Sequence, residues 1–223
     1  MILQLPVQVF AQETTDFTFT AETGTITKYT GTATDLRIPD AIDEVSVTAI
    51  GQGVFGRKGI TSVQFPETLE EIGRIAFFNN PLTQLDFPSS LQTIGDRAFA
   101  NNDSLTQILF TEGLTHIGPM SFQNDTALSG EVALPDSLQE VGRLAFDKTS
   151  VVPVLQGGES AKPIVFKDQA LRGTGISVWN LPQNRDILLY YNVMGDAITE
   201  PVQLHGGDIF LPAHASDDEI RAA

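Results

Sequence analysis

The sequence predicts a β-rich solenoid, a chain wound into short stacked coils, and two recurring patterns in phase with each other carry that prediction. An Ile-Gly or Val-Gly pair returns at Ile50-Gly51, Ile72-Gly73, Ile94-Gly95, Ile117-Gly118 and Val141-Gly142, at intervals of 22, 22, 23 and 24 residues. Four residues after each glycine stands a phenylalanine: Phe55, Phe77, Phe99, Phe122 and Phe146. The second pattern is a short apolar run. Ile60, Val63, Phe65 and Pro66 have the offsets of Leu82, Leu85, Phe87 and Pro88, and Leu105, Ile108 and Phe110 repeat them with Thr111 in place of proline. Leu128, Val132, Leu134 and Pro135 follow with one residue inserted, Ile176, Trp179, Leu181 and Pro182 restore the spacing, and Leu36, Ile38 and Pro39 form a partial copy upstream.

Each element of one coil follows in order. Alternating apolar residues such as Val63 and Phe65 make a short strand with one face inward. The proline after it stops the strand, because it has no N–H to donate to a ladder. The leucine of the next run and the isoleucine before each glycine enter the core from the far wall. The glycines Gly51, Gly73, Gly95, Gly118 and Gly142 are expected to form tight turns with φ above zero. The phenylalanines are expected to stack coil on coil into a spine. Asn80, Asn102 and Asp125, each three residues after its phenylalanine, suit a ladder of buried side chains that bond backbone groups at a bend.

Along the chain, residues 1–49 are expected to form a β-rich N-terminal cap, with FTFTAETGTITKYTG as two strands around Glu22-Thr23-Gly24. Residues 1–11 read either as a first strand, from the alternation of Leu3, Leu5, Val7 and Val9, or as the remnant of a signal peptide. Residues 50–182 hold the repeats, degenerate after 150, where Ala170-Leu171 stands in for Ala-Phe. Residues 183–223 read as degenerate coils or a C-terminal cap with a frayed tail.

In full, as in LTQLDFPSSLQTIGDRAFANN (Leu82 to Asn102), the pattern of strand, Phe-Pro, short run and Ile-Gly-x-x-Ala-Phe closely resembles the BspA-like class of leucine-rich repeats. The match is good over residues 50–150 and looser out to residues 36 and 182. That class often has cysteine where Asn80, Asn102 and Asp125 stand. The resemblance implies a leucine-rich-repeat solenoid with a parallel sheet on the concave side and short turns and 3-10 segments on the convex side. It also implies a bacterial cell-surface or secreted, extracellular location and a role in adhesion.

Composition narrows the chemistry. The chain of 223 residues carries a formal net charge of -15, which repels phosphate backbones, so nucleic acid is not an expected partner. No apolar run reaches the length of a membrane-spanning helix, so membrane insertion is not expected. There are no cysteines, which removes disulfides and thiol chemistry. His116, His205 and His214 lie far apart, and no metalloprotease, nucleophile-elbow or phosphate-loop motif is present. The acidic groups Glu70-Glu71 and Asp217-Asp218-Glu219 lack the alternation of a calcium loop. No catalytic residue, metal or cofactor is therefore assigned, and the chain is not expected to be an enzyme.

What remains is surface. Between the core positions of each strand, side chains point outward: Ser62 and Gln64, Gln84 and Asp86, Gln107 and Leu109, Glu131 and Ala133, Val178 and Asn180. Across coils they make two columns, neutral to acidic, expected to bind a protein partner on a monomeric chain. The alternative is a structural spacer or display stalk in a larger surface protein.

Overall fold

The computed structural model describes residues 14–155, 164–167, 169–172, 174 and 187–189. They form a solenoid of coils that stack in sequence order. A 3-10 turn, Thr14–Asp16, leads into an antiparallel pair, Phe17–Thr20 with Thr25–Tyr29. From there a sheet of 9 strands runs the length of the molecule, made mostly of two-residue strands: Ala49–Ile50, Glu71–Ile72, Thr93–Ile94, His116–Ile117 and Glu140–Val141, then Ile164–Phe166 and Ile187–Leu189. All pairings after the first are parallel, and the register lines up Ile26, Ile50, Ile72, Ile94, Ile117, Val141 and Phe166, each buried.

The opposite wall holds the strands of the apolar runs: Asp35–Arg37, Ser62–Gln64, Gln84–Asp86, Gln107–Leu109, Ser129–Leu134 and Ser150–Leu155. These join in three separate parallel pairs, so the longest continuous ladder belongs to the Ile-Gly wall instead. The glycines explain why. They do not have the positive φ that the sequence reading expected; among the described residues the positive-φ glycines are Gly24, Gly53, Gly59, Gly113 and Gly130. They are needed because the coils touch there. Gly95 donates its N–H to the carbonyl of Ile72 at 2.7 Å, and a Cβ on it would lie 2.8 Å from the backbone of Arg74 and of Gly73. At Gly142 a Cβ would lie 2.5 Å from the nitrogen of Pro119. Close approach of backbone to backbone is the reason for glycine here.

The left-handed conformation falls later in each coil, on residues with side chains. One set is Ile75, Arg97, Met120 and Leu144, with φ of 50 to 57°, and a second is Asn79, Asn101, Asn124 and Lys148, with φ of 56 to 65°. Ile75, Arg97, Met120, Asn79, Asn101, Asn124 and Lys148 each donate their N–H to a carbonyl of the next coil, as in Ile75 N–H to the Asp96 carbonyl at 2.9 Å and Asn79 N–H to that of Ala100 at 2.9 Å. Neighbouring coils thus impose a conformation that L side chains disfavour. Asparagine tolerates it best. Lys148 is the exposed exception in its column, and Lys148→Asn is expected to raise stability by under about 1 kcal/mol, read as a higher urea midpoint; no gain would mean that the lysine's own contacts offset the backbone term.

The core is built from rings and a polar ladder. Phe55, Phe77, Phe99, Phe122 and Phe146 stack with centroids 4.9 to 5.5 Å apart, and from Phe77 onward the interplanar angles are 4 to 7°. Tyr29 and Phe17 continue this spine at the N-terminal end. A second stack, Phe65, Phe87 and Phe110, meets the first edge-on. After Phe146 the buried Leu171 takes the ring's place, beside Ala170, whose carbonyl accepts from Phe146 N–H at 3.0 Å.

Asn80 accepts from the N–H groups of Lys58 and Ile60, both at 3.0 Å, and donates to the carbonyls of Phe55 and Phe77, both at 2.9 Å. Asn102 accepts from Asn80 N–H at 3.1 Å and donates to the carbonyls of Phe77 and Phe99. Asp125 accepts from Asn102 N–H at 2.7 Å. Thr149 and Thr174 end the ladder, each hydroxyl donating at 2.8 Å to the carbonyl three residues earlier. These amides, with four bonds at Asn80 and three at Asn102, satisfy a bend that no strand ladder reaches.

Candidate binding face

On the apolar-run wall, the strands alternate as their short period dictates. Val63, Leu85, Ile108, Val132 and Leu134 face the interior, while Gln64, Gln84, Asp86, Gln107, Leu109 and Glu131 are exposed and Ser62 and Ala133 half-exposed. Pairing sets Gln84 beside Gln107 and Asp86 beside Leu109. Gln84 Nε2 donates to both carboxylate oxygens of Asp86, at 3.0 and 2.9 Å, and Ser62 Oγ donates to Asp35 Oδ1. Val178 and Asn180 lie outside the described residues. Of the buried residues expected to be structural, the phenylalanines, Asn80 and Asn102 all point into the core.

Two carboxylates sit inside the turns at the far end of the coils. Asp147 is buried; burial alone would raise its acid, but hydrogen bonds from Arg172, at 2.7 and 2.8 Å, and Gln123, at 2.9 Å, bring it below the usual value. Asp125 is also buried, without a cation partner, and burial pushes its carboxyl well above the ordinary 3.8. Neither opens onto the strand wall. His116 is exposed, its Nδ1 2.8 Å from Thr115 Oγ1. Among the described residues no group of His, Asp and Glu has the arrangement of a metal site, and no helix is long and apolar enough to cross a membrane.

A family model for the BspA type leucine-rich-repeat region matches residues 14–152 in 6 copies. The chain belongs to that family. The BspA-type frame thus takes in the antiparallel pair at the N-terminal end as well as the regular coils. Two solved structures share the fold. A leucine-rich-repeat protein of T. pallidum has 20% identity and a TM-score of 0.57, over 77% of this chain and 90% of that one. A leucine-rich cell surface protein of Faecalibacterium prausnitzii A2-165 has 25% identity and a TM-score of 0.51, over 86% of this chain and 57% of that one, so the chain spans little more than half of its length. No curated protein matches the chain in sequence.

With the BspA-type coils in register, two outward residues join the face that sequence reasoning passed over. Val152 pairs with Glu131 and Val154 with Ala133, and Val152 is 40% exposed. Pro153 between them hid the strand, because a proline inside a run reads as a break. Ser150 N–H donates to Leu128 O at 2.8 Å, so alternate amides, those of the even-numbered residues, face the neighbouring strand. The missing N–H of Pro153 falls on the other edge, where the ladder does not need it. The signal was the alternation of Val152 and Val154 about a buried Pro153.

Proposed function

We propose that the chain is a non-enzymatic protein-binding domain, used in adhesion at a bacterial cell surface or in secreted form, that holds its partner on the apolar-run wall. The observation that carries this reading is the wall itself. Its outward side chains are set in columns on a core fixed by stacked rings and a hydrogen-bonded ladder, so little conformational freedom is lost when a partner docks. The relatives' description as a cell surface protein, in the case of F. prausnitzii, favours the location. Acidic charge on the chain disfavours nucleic acid.

The test is capture of host and bacterial surface proteins by the chain and by Gln84→Ala, Asp86→Ala and Leu109→Arg. A bound protein should be lost or weakened by at least one of the three. Unchanged capture by all three would leave the wall without a role and favour a spacer.

A further inference from the structure

The outward columns change character along the solenoid. From Ser62 to Gln107 they are polar, whereas the next positions are Leu109, Ala133, Val152 and Val154, interrupted by Glu131. Leu109 and Val152 are 49% and 40% exposed, and they are the exposed large hydrophobic residues among those described. Single exposed apolar residues need no explanation, but a contiguous set on one face marks an interaction site.

A hollow of about 370 Å³ opens at the same place, lined by Leu109, Phe110, Leu128, Glu131, Ala133 and Val154 among others. It lies at the second of two breaks in the wall. Gln107–Leu109 pairs backward with Gln84–Asp86, and Ser129–Leu134 pairs forward with Ser150–Leu155, but no strand ladder joins the two pairs. The inserted residue of this coil falls here. Gly130 has φ +83° and open space around its Cα, and such an extra residue bends a strand away from its neighbour.

The charge around the hollow has one sign. The outward residues from Ser62 to Val154 include the acids Asp86 and Glu131 and no lysine or arginine, on a chain of net charge -15. Resting on the protein-binding reading above, we infer that this apolar end of the wall takes a basic peptide segment, which sets one apolar side chain into the hollow between Leu109 and Val154 with flanking lysines or arginines against Glu131 and Asp86. The hollow is near the small end of the roughly 300–1,000 Å³ range of small-molecule sites and is open along the wall, which suits a side chain carried on a peptide. Opposite charge on the flanks steers the encounter and selects against acidic segments.

The experiment titrates the full chain with three synthetic peptides, read by fluorescence anisotropy: a central leucine flanked by lysines, the same leucine flanked by glutamates, and a lysine-flanked peptide with serine at the centre. The lysine-leucine peptide should bind at least about tenfold more tightly than either control. Leu109→Ser should remove most of that advantage, Glu131→Gln should flatten its salt dependence, and Glu71→Gln, exposed on the Ile-Gly wall, should do neither. Equal binding of all three peptides, or no effect of Leu109→Ser, overturns the inference. So does sedimentation showing that the wild-type chain self-associates through Leu109, which would assign the patch to a second copy. If whole-protein capture responds to Gln84→Ala or Asp86→Ala while the lysine-leucine peptide does not bind, this inference falls and the protein-binding reading stands.

Discussion

Phe99→Ala is expected to lower the unfolding free energy by about 3–5 kcal/mol, the usual cost of truncating a buried aromatic. Phe99 is the middle ring of the spine. It stacks on Phe77 at 5.3 Å and on Phe122 at 5.5 Å, and Phe87 of the second stack meets it edge-on at 5.5 Å. Alanine would leave a cavity bounded by rings of two neighbouring coils, and the backbone there cannot collapse to fill it. Gly95 and Gly118 already hold those coils at backbone contact. A solenoid is stabilised by contacts between adjacent coils only, so the loss falls on both interfaces of one coil and should split the cooperative unit. Urea unfolding gives the free energy, and hydrogen exchange should show the amides of Phe77 and Phe122, one on each side of the split, opening at different free energies. Leu109→Ala, on the exposed wall, should change stability by less than about 0.5 kcal/mol. A loss below about 1 kcal/mol for Phe99→Ala would mean that the leucines and isoleucines of the two walls, rather than the ring stacks, set the stability.

The repeat made most of this fold legible, because each coil reports the same contacts and four copies of Ile-Gly-x-x-x-Phe and one of Val-Gly-x-x-x-Phe specify a common register. Spine, ladder and outward columns all follow from that register. The reading failed where one residue type can serve two physical ends. Glycine suits both a left-handed turn and a close approach, and the sequence pattern of Ile72-Gly73 does not separate them; only the neighbouring coil, 2.6 Å from the absent Cβ of Gly73, does. The left-handed positions went instead to Ile75 and Arg97, where local propensity argues against them and hydrogen bonds from one coil to the next prevail. The outward columns were legible from Ser62 to Ala133, where most strands end at Phe-Pro or Leu-Pro. Val152 and Val154 were not, because Pro153 interrupts the very alternation that exposes them.

Asp125→Asn is expected to raise stability by about 1–3 kcal/mol at neutral pH, the cost of leaving one buried polar atom unmet. The ladder explains the sign. Asp125 Oδ1 accepts from Asn102 N–H, as Asn102 Oδ1 does from Asn80 N–H. The second atom differs. Asn102 Nδ2 donates to the carbonyls of Phe77 and Phe99, whereas Asp125 Oδ2 is buried without a partner. By the repeat, Oδ2 takes the place of that amide nitrogen, where an ionised oxygen would meet carbonyl acceptors. A protonated one can donate to them as the amide does. Burial accordingly raises the carboxyl well above 3.8; the bond from Asn102 lowers it in part, and the nearby charge of Asp103 raises it further. A group whose folded value is raised contributes its stability fully below the unfolded value of 3.8 and loses it as pH climbs through the folded value. The wild-type chain should therefore weaken relative to Asp125→Asn as pH rises, and the two should converge on acidification. Urea midpoints of both proteins across pH measure this directly. A constant gap would show that Asp125 does not hold its proton in the fold, and a less stable variant would show that this rung of the ladder has no room for an amide.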